Sequence, residues 1–198
     1  MCGGLQFILN HKIFIMKLSK STVKTISIFS FGLLMLSLPA TAQKNPALTD
    51  PEVAHVAVVA NQIDIDYAAI AKKKSANKAI IEFAETMARD HKAVIAQAVA
   101  LVTKLSVTPK DNAVSKSLLA DAAKTKKMLE SKSKKTFDKA YIDNEVAYHK
   151  AVIAAVEGLL IPESKNAELK SLLENVVPAL KAHLAHAEMV QKQIEGKK

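Results

Sequence analysis

After residue 49, apolar residues recur every three to four positions along most of the chain. No stretch sustains a period-two alternation, so the pattern predicts an all-α protein. Helix one opens at Thr49-Asp50-Pro51-Glu52, where a capping residue, an early proline and two acids coincide, and runs to about Lys74. Helix two covers about Asn77 to Leu105 and stops before Thr108-Pro109. Asp111 is the expected N-cap of a shorter third helix that ends near Lys132. Helix four spans about Thr136 to Leu160 and is closed by the Gly158 to Pro162 stretch. Helix five runs from about Asn166 to Ile194, with a kink expected at Pro178, where a backbone donor is missing.

Four of these helices carry long apolar seams. Helix one places Val56, Val59, Ile63, Asp66 and Ile70 on one stripe, and helix two places Ile80, Ala84, Met87, His91, Val94 and Ala98. Helix four gives Ile142, Val146, His149, Ile153 and Val156; helix five gives Leu173, Val176, Leu180, His183, Ala187 and Val190. Four long helices with such repeats predict a four-helix bundle. The short third helix then separates two long hairpins as a crossover, the ferritin-like arrangement.

Each seam is interrupted once by an ionisable residue: Asp66, His91, His149 and His183. A polar ring buried among aliphatic side chains needs a partner. Separate hydrogen bonds that specify register would supply one. So would convergence of neutral imidazoles and a carboxylate on a divalent transition metal. Glu85, Glu145 and His186 stand near the same faces as reserves. A di-iron pattern is a poor fit, because Ala88, Val146 and Leu180 occupy the positions three before the histidines, where Glu-x-x-His requires an acid. The expected levels also disagree. With a turn near Ala76, Asp66 and His91 are offset by about 7 Å; with a turn near Glu163, His149 and His183 are offset by about 9 Å. On that reckoning Glu85 stands level with Asp66 and Glu145 with His183, which favours pairs over one four-ligand plane.

Residues 1–42 read differently. A basic segment from Met16 to Lys24, an apolar run from Ile26 to Leu38 and the sequence Ala40-Thr41-Ala42 have the layout of a secretory signal peptide. Translation would start at Met1 or Met16. The run is too short to span a membrane and no later segment is apolar enough. The expected organisation is therefore a removable extension over 1–42, a polar leader over 43–49 and the bundle over 50–195, exported to the periplasm or secreted.

That cleavage changes the composition. The 198-residue chain carries a net charge of +9, but four of its 28 basic residues and none of its acids lie in residues 1–42, which leaves +5. The single cysteine, Cys2, leaves too, and with it disulfide and thiol chemistry. Phe83, Phe137, Tyr67, Tyr141 and Tyr148 are the aromatics that remain, too few for stacking on bases, so nucleic acid is not an expected partner. Lysine clusters at 72–74, 124–127 and 132–135 fall at helix ends, where the macrodipole favours cations. No phosphate loop, nucleophile elbow or His-Glu-x-x-His is present, and no catalytic residue is assigned.

Several segments resemble one family of secreted bacterial proteins, filed as domain of unknown function 4142. They are Asp64-Ile65-Asp66-Tyr67-Ala68-Ala69-Ile70-Ala71 and Phe83-Ala84-Glu85-Thr86-Met87-Ala88-Arg89-Asp90-His91. Further along come Phe137-Asp138-Lys139-Ala140-Tyr141-Ile142, leading to His149, and Val177-Pro178-Ala179-Leu180-Lys181-Ala182-His183-Leu184. The resemblance covers residues 50–192 and implies a ferritin-like fold and export, with no established activity. The family usually has Glu at the place of Asp66. Three expectations follow: a non-enzymatic envelope binding or stress-related module, a metal-binding bundle, or a scaffold whose lysines meet anionic lipid or polysaccharide. The partner expected is an envelope surface or a second copy of the chain.

Overall fold

The computed structural model describes residues 47–196. The signal-peptide segment, Cys2 and the first leader residues lie outside them. The described residues form helices α1 (Asp50–Lys74), α2 (Lys78–Lys104), α3 (Ala113–Ser131), α4 (Lys134–Ala155), α5 (Ile161–Glu163) and α6 (Ala167–Glu195). A π-helical turn, Val156–Leu160, joins α4 to α5. Among the described residues there is no strand, and no helix is long and apolar enough to cross a membrane.

The caps explain most boundaries. Glu52 accepts hydrogen bonds from the Thr49 backbone N–H and hydroxyl, closing the first turn of α1. Asn77 caps α2 through Ala79 N–H, and Asn166 caps α6 through Glu168 and Leu169 N–H. The cap of α3 is Asn112 rather than Asp111: its carbonyl oxygen accepts from Ser115 N–H at 3.0 Å, while Asp111 takes the Ser115 hydroxyl. Gly158 does not end α4. The helix widens there into the π turn and continues to Glu163. α6 runs on through Pro178, which faces solvent.

Helices α1 and α2 form one antiparallel hairpin, and α4 and α6 the other; α2 meets α6 and α1 meets α4 across the bundle. α3 packs on the outside of α1. Asp50 ties the start of α1 to the start of α6, accepting from the Lys165 and Asn166 N–H groups at 2.8 and 3.0 Å. The core divides into two parts. One holds all the buried aromatic residues (Tyr67, Phe83, Phe137 and Tyr141) with Ile63, Ile80 and Met87. The other is purely aliphatic, built from Val53, Val56, Ile153, Leu160, Leu169, Leu173 and Leu180.

Candidate metal centre

Five ionisable side chains are buried together in the interior, and every helix of the two hairpins contributes. Asp64 comes from α1, His91 from α2, Glu145 and His149 from α4, and His183 from α6. Asp64 and Glu145 are fully buried and His149 is 1% exposed. One ring nitrogen each from His91, His149 and His183 lie within 4.8 Å of one another, as do single donor atoms of Asp64, Glu145 and His149. Asp64 Oδ2 stands 3.2 Å from His91 Nε2 and 3.5 Å from His149 Nε2. The three rings sit with centroids 5.2 to 5.8 Å apart.

The far side of each ring fixes its tautomer. Asn61 donates to the Ala57 carbonyl through Nδ2, so its Oδ1, 2.7 Å from His91 Nδ1, must accept the proton that Nδ1 carries. His149 Nδ1 donates to the Glu145 backbone carbonyl at 2.9 Å. His183 Nε2 donates to Asp90 Oδ2 at 3.1 Å. That leaves His91 Nε2, His149 Nε2 and His183 Nδ1 as bare lone pairs, buried and without hydrogen-bond partners. Both Asp64 oxygens and both Glu145 carboxyl oxygens are equally unpartnered. Burial depresses the basicity of His149 and of His183, which keeps both neutral near pH 7. Burial, and then the Asp64 charge, hold the Glu145 carboxyl well above the usual carboxylate range.

Acceptors facing acceptors at 3.2 to 3.5 Å repel unless something positive lies between them. A four-coordinate metal with bonds of about 2.1 Å keeps neighbouring donor atoms about 3.4 Å apart. The Asp64–His91 and Asp64–His149 separations match that edge. Outward N–H groups bound to an amide, a carbonyl and a carboxylate are the supports that orient metal-ligating imidazoles. The residues therefore fit a transition metal held through nitrogen and oxygen.

The expected residues divide. His91, His149, His183 and the reserve Glu145 converge; Asp66 does not. It lies on the face of α1 that meets α3, 37% exposed, and accepts from Lys126 and Gln62. The interior acid is Asp64, two residues earlier and about 200° around the helix. The seam misled because α3 covers a second side of α1, which makes that helix apolar on two faces. Glu85 is exposed, and His186 stands edge-on to Phe83 with centroids 5.1 Å apart, outside the cluster. Asp90, beside His91 in sequence, turns to hold His183 Nε2.

The level offsets are corrected as well. The second hairpin turns at Lys165, between α5 and α6, which places His149 sixteen residues before it and His183 eighteen after. The offset falls to about 3 Å. Asp64 in place of Asp66 reduces the other to about 4.5 Å.

A cavity of about 340 Å³ adjoins the cluster. Asp64, His91, His149 and His183 line it together with Ala, Val and Leu side chains, mostly of the aliphatic half, and with Asn61, Tyr67, Asp121, Thr125, Asn144 and Tyr148. A family model described as a domain of unknown function, DUF4142, matches residues 36–190. No curated protein and no solved structure matches the chain. Since that match extends over most of its length, the chain belongs to the DUF4142 family.

Proposed function

We propose that this protein is an exported metal-binding module that holds a divalent transition metal in the core of its bundle. His91 Nε2, His149 Nε2, His183 Nδ1 and Asp64 are the ligands, with Glu145 as an adjacent second carboxyl. The observation that carries this reading is the set of buried lone pairs aimed at one another while each imidazole donates its N–H outward. Histidines that served only bundle register would spend their lone pairs on donors, and none is within reach here. Imidazole with carboxylate suits zinc, iron, manganese, nickel or copper, and calcium or magnesium poorly. Export rests on the basic, apolar and Ala-x-Ala segments of residues 16–42.

Elemental analysis of the mature chain, purified without added metal and without chelator, tests the reading directly. The expected result is about one equivalent of one transition metal. It should be absent from the His91→Ala/His149→Ala double variant, which folds with unchanged helical content. A metal-free wild type that binds no added zinc, manganese or cobalt would establish the histidines as structural.

A further inference from the structure

The cavity beside the cluster follows from how the sequence distributes side-chain size. The buried aromatic residues belong to the other half of the core, with Tyr67 and the half-buried Tyr148 reaching the cavity, and the half below the histidines is filled with Ala, Val, Leu and Ile. From Asp64 to Ala54 the cavity follows α1 for ten residues, about 15 Å. Its volume is about 340 Å³. A 150 Å³ cavity holds the six carbons of benzene, so this one has room for about a dozen.

Its walls add two constraints. No lysine or arginine lines it, and Asn144 Nδ2 is an unpartnered neutral donor in its wall, so a metal at the histidine cluster is the cationic partner an anionic group would meet there. Ala147, Ala151 and Ala155 line it yet are exposed, so the cavity meets solvent along this small-residue face of α4. The π turn also borders the cavity, contributing Val156, Leu159 and Leu160. Such turns are frequent at functional sites.

We infer that the cavity binds an aliphatic carboxylate of about ten to twelve carbons, its chain along the aliphatic half and its carboxylate on the metal. This rests on the metal reading above and names the ligand class of the same site. The chain is selected by cavity volume and a mostly apolar lining, and the head by the cationic centre a metal would provide.

The test uses the mature chain loaded with cobalt(II), whose visible spectrum reports its coordination, titrated with decanoate. Decanoate should change the cobalt spectrum at saturation, with 1-decanol of the same chain length leaving it unaltered. Metal-free protein should bind decanoate at least tenfold more weakly, and acetate should bind at least a hundredfold more weakly than decanoate. Ala151→Trp, at the exposed mouth, should lower decanoate affinity at least tenfold with cobalt content unchanged. Two results would each overturn the inference while leaving the metal reading intact: full cobalt loading with no decanoate binding, and decanoate binding that leaves the cobalt spectrum untouched. Failure to load cobalt would overturn both.

Discussion

The carboxylates of this protein fall into two groups with opposite surroundings. At the surface, Asp66 accepts from Lys126 and Gln62, Asp143 from Lys139 and Gln191, and Glu188 and Glu157 pair with Lys150 and Lys181. In the interior, Asp64 faces the His91 and His149 lone pairs, and Glu145 lies beside Asp64, His149 Nδ1 and the Tyr141 hydroxyl, with no lysine or arginine within reach. The shifts separate in the same way. Burial pushes the Asp143 carboxyl up, but hydrogen bonds from Lys139 and Gln191 outweigh it and leave the group below its ordinary value. Glu145, with burial and a neighbouring acid and no lysine, is driven well above it. Carboxylates that serve stability arrive with their donors. The inner group arrives with no cation, and the lone pairs that meet at Asp64 call for a ligand that supplies the positive charge.

The strongest way to break this contrast is to remove an inner ligand. Asp64→Ala or His91→Ala should abolish stoichiometric metal binding, read by elemental analysis. A metal present at about 1,000 times its dissociation constant stabilises the fold by about 4 kcal/mol. For a domain of this size that is on the order of 10 °C in melting temperature. Chelation should therefore lower the melting temperature of the wild type by that amount and leave the two variants unmoved. Equal chelator effects on all three proteins would place the metal elsewhere.

One step further out, the residues that orient the rings should have graded effects. Asn61→Ala removes the acceptor that holds His91 Nδ1–H, and Asp90→Ala removes the one that holds His183 Nε2–H. Neither touches the ligand lone pairs. Each variant should still bind one metal, about 10- to 100-fold more weakly, in a competition titration against a chromophoric chelator. Unchanged affinity in both would show that the outward hydrogen bonds are incidental.

How much of this the chain discloses beforehand depends on which face a residue occupies. The helices are legible because Thr49, Asn77 and Asn166 are strong caps, and because the seams of α2, α4 and α6 each bury one stripe. His91, His149 and His183 stand out there as polar interruptions in otherwise apolar rows. Asp64 was hidden for a packing reason: α1 is covered on two sides, so its periodicity offers two stripes and the more aliphatic one carries Asp66. The level of Asp64, three residues out of register with His91 where Asp66 is five out, was the signal that could have separated them. Asn61 and Asp90 carry no such signal, since their role exists only once the bundle brings His91 and His183 beside them.

Glu145 allows the inner group to be tested in the absence of metal. Its folded-state proton affinity is raised, so near pH 4 and below it is protonated in both states and contributes nothing to the pH dependence. As pH rises past the ordinary carboxylate range, the unfolded chain ionises first, and the fold loses stability until Glu145 itself ionises. Metal-free Glu145→Gln should match metal-free wild type near pH 4 and become the more stable of the two as pH rises toward 8, read by chemical denaturation across that range. Bound metal favours the ionised carboxyl, so the advantage should shrink or reverse in the loaded proteins. Parallel pH profiles for the metal-free pair would mean that Glu145 has found a donor in solution.

The outer group supplies the smallest effect and the cleanest control. Asp66 and Lys126 pair across α1 and α3 at 2.9 Å, with both side chains more than a third exposed. Solvent screening and the entropy of a held lysine limit such a pair to below about 1 kcal/mol. A double-mutant cycle over Asp66→Ala and Lys126→Ala should return a coupling of that size, shrinking in high salt, with metal content unchanged in all four proteins. The two aspartates are two residues apart on one helix and face opposite sides of it, yet the expectation for Asp64→Ala is loss of the metal and for Asp66→Ala a salt-sensitive fraction of a kcal/mol. Loss of metal from Asp66→Ala would return the site to the face of α1 that meets α3, and with it the interior lone pairs would lose their claim to be ligands.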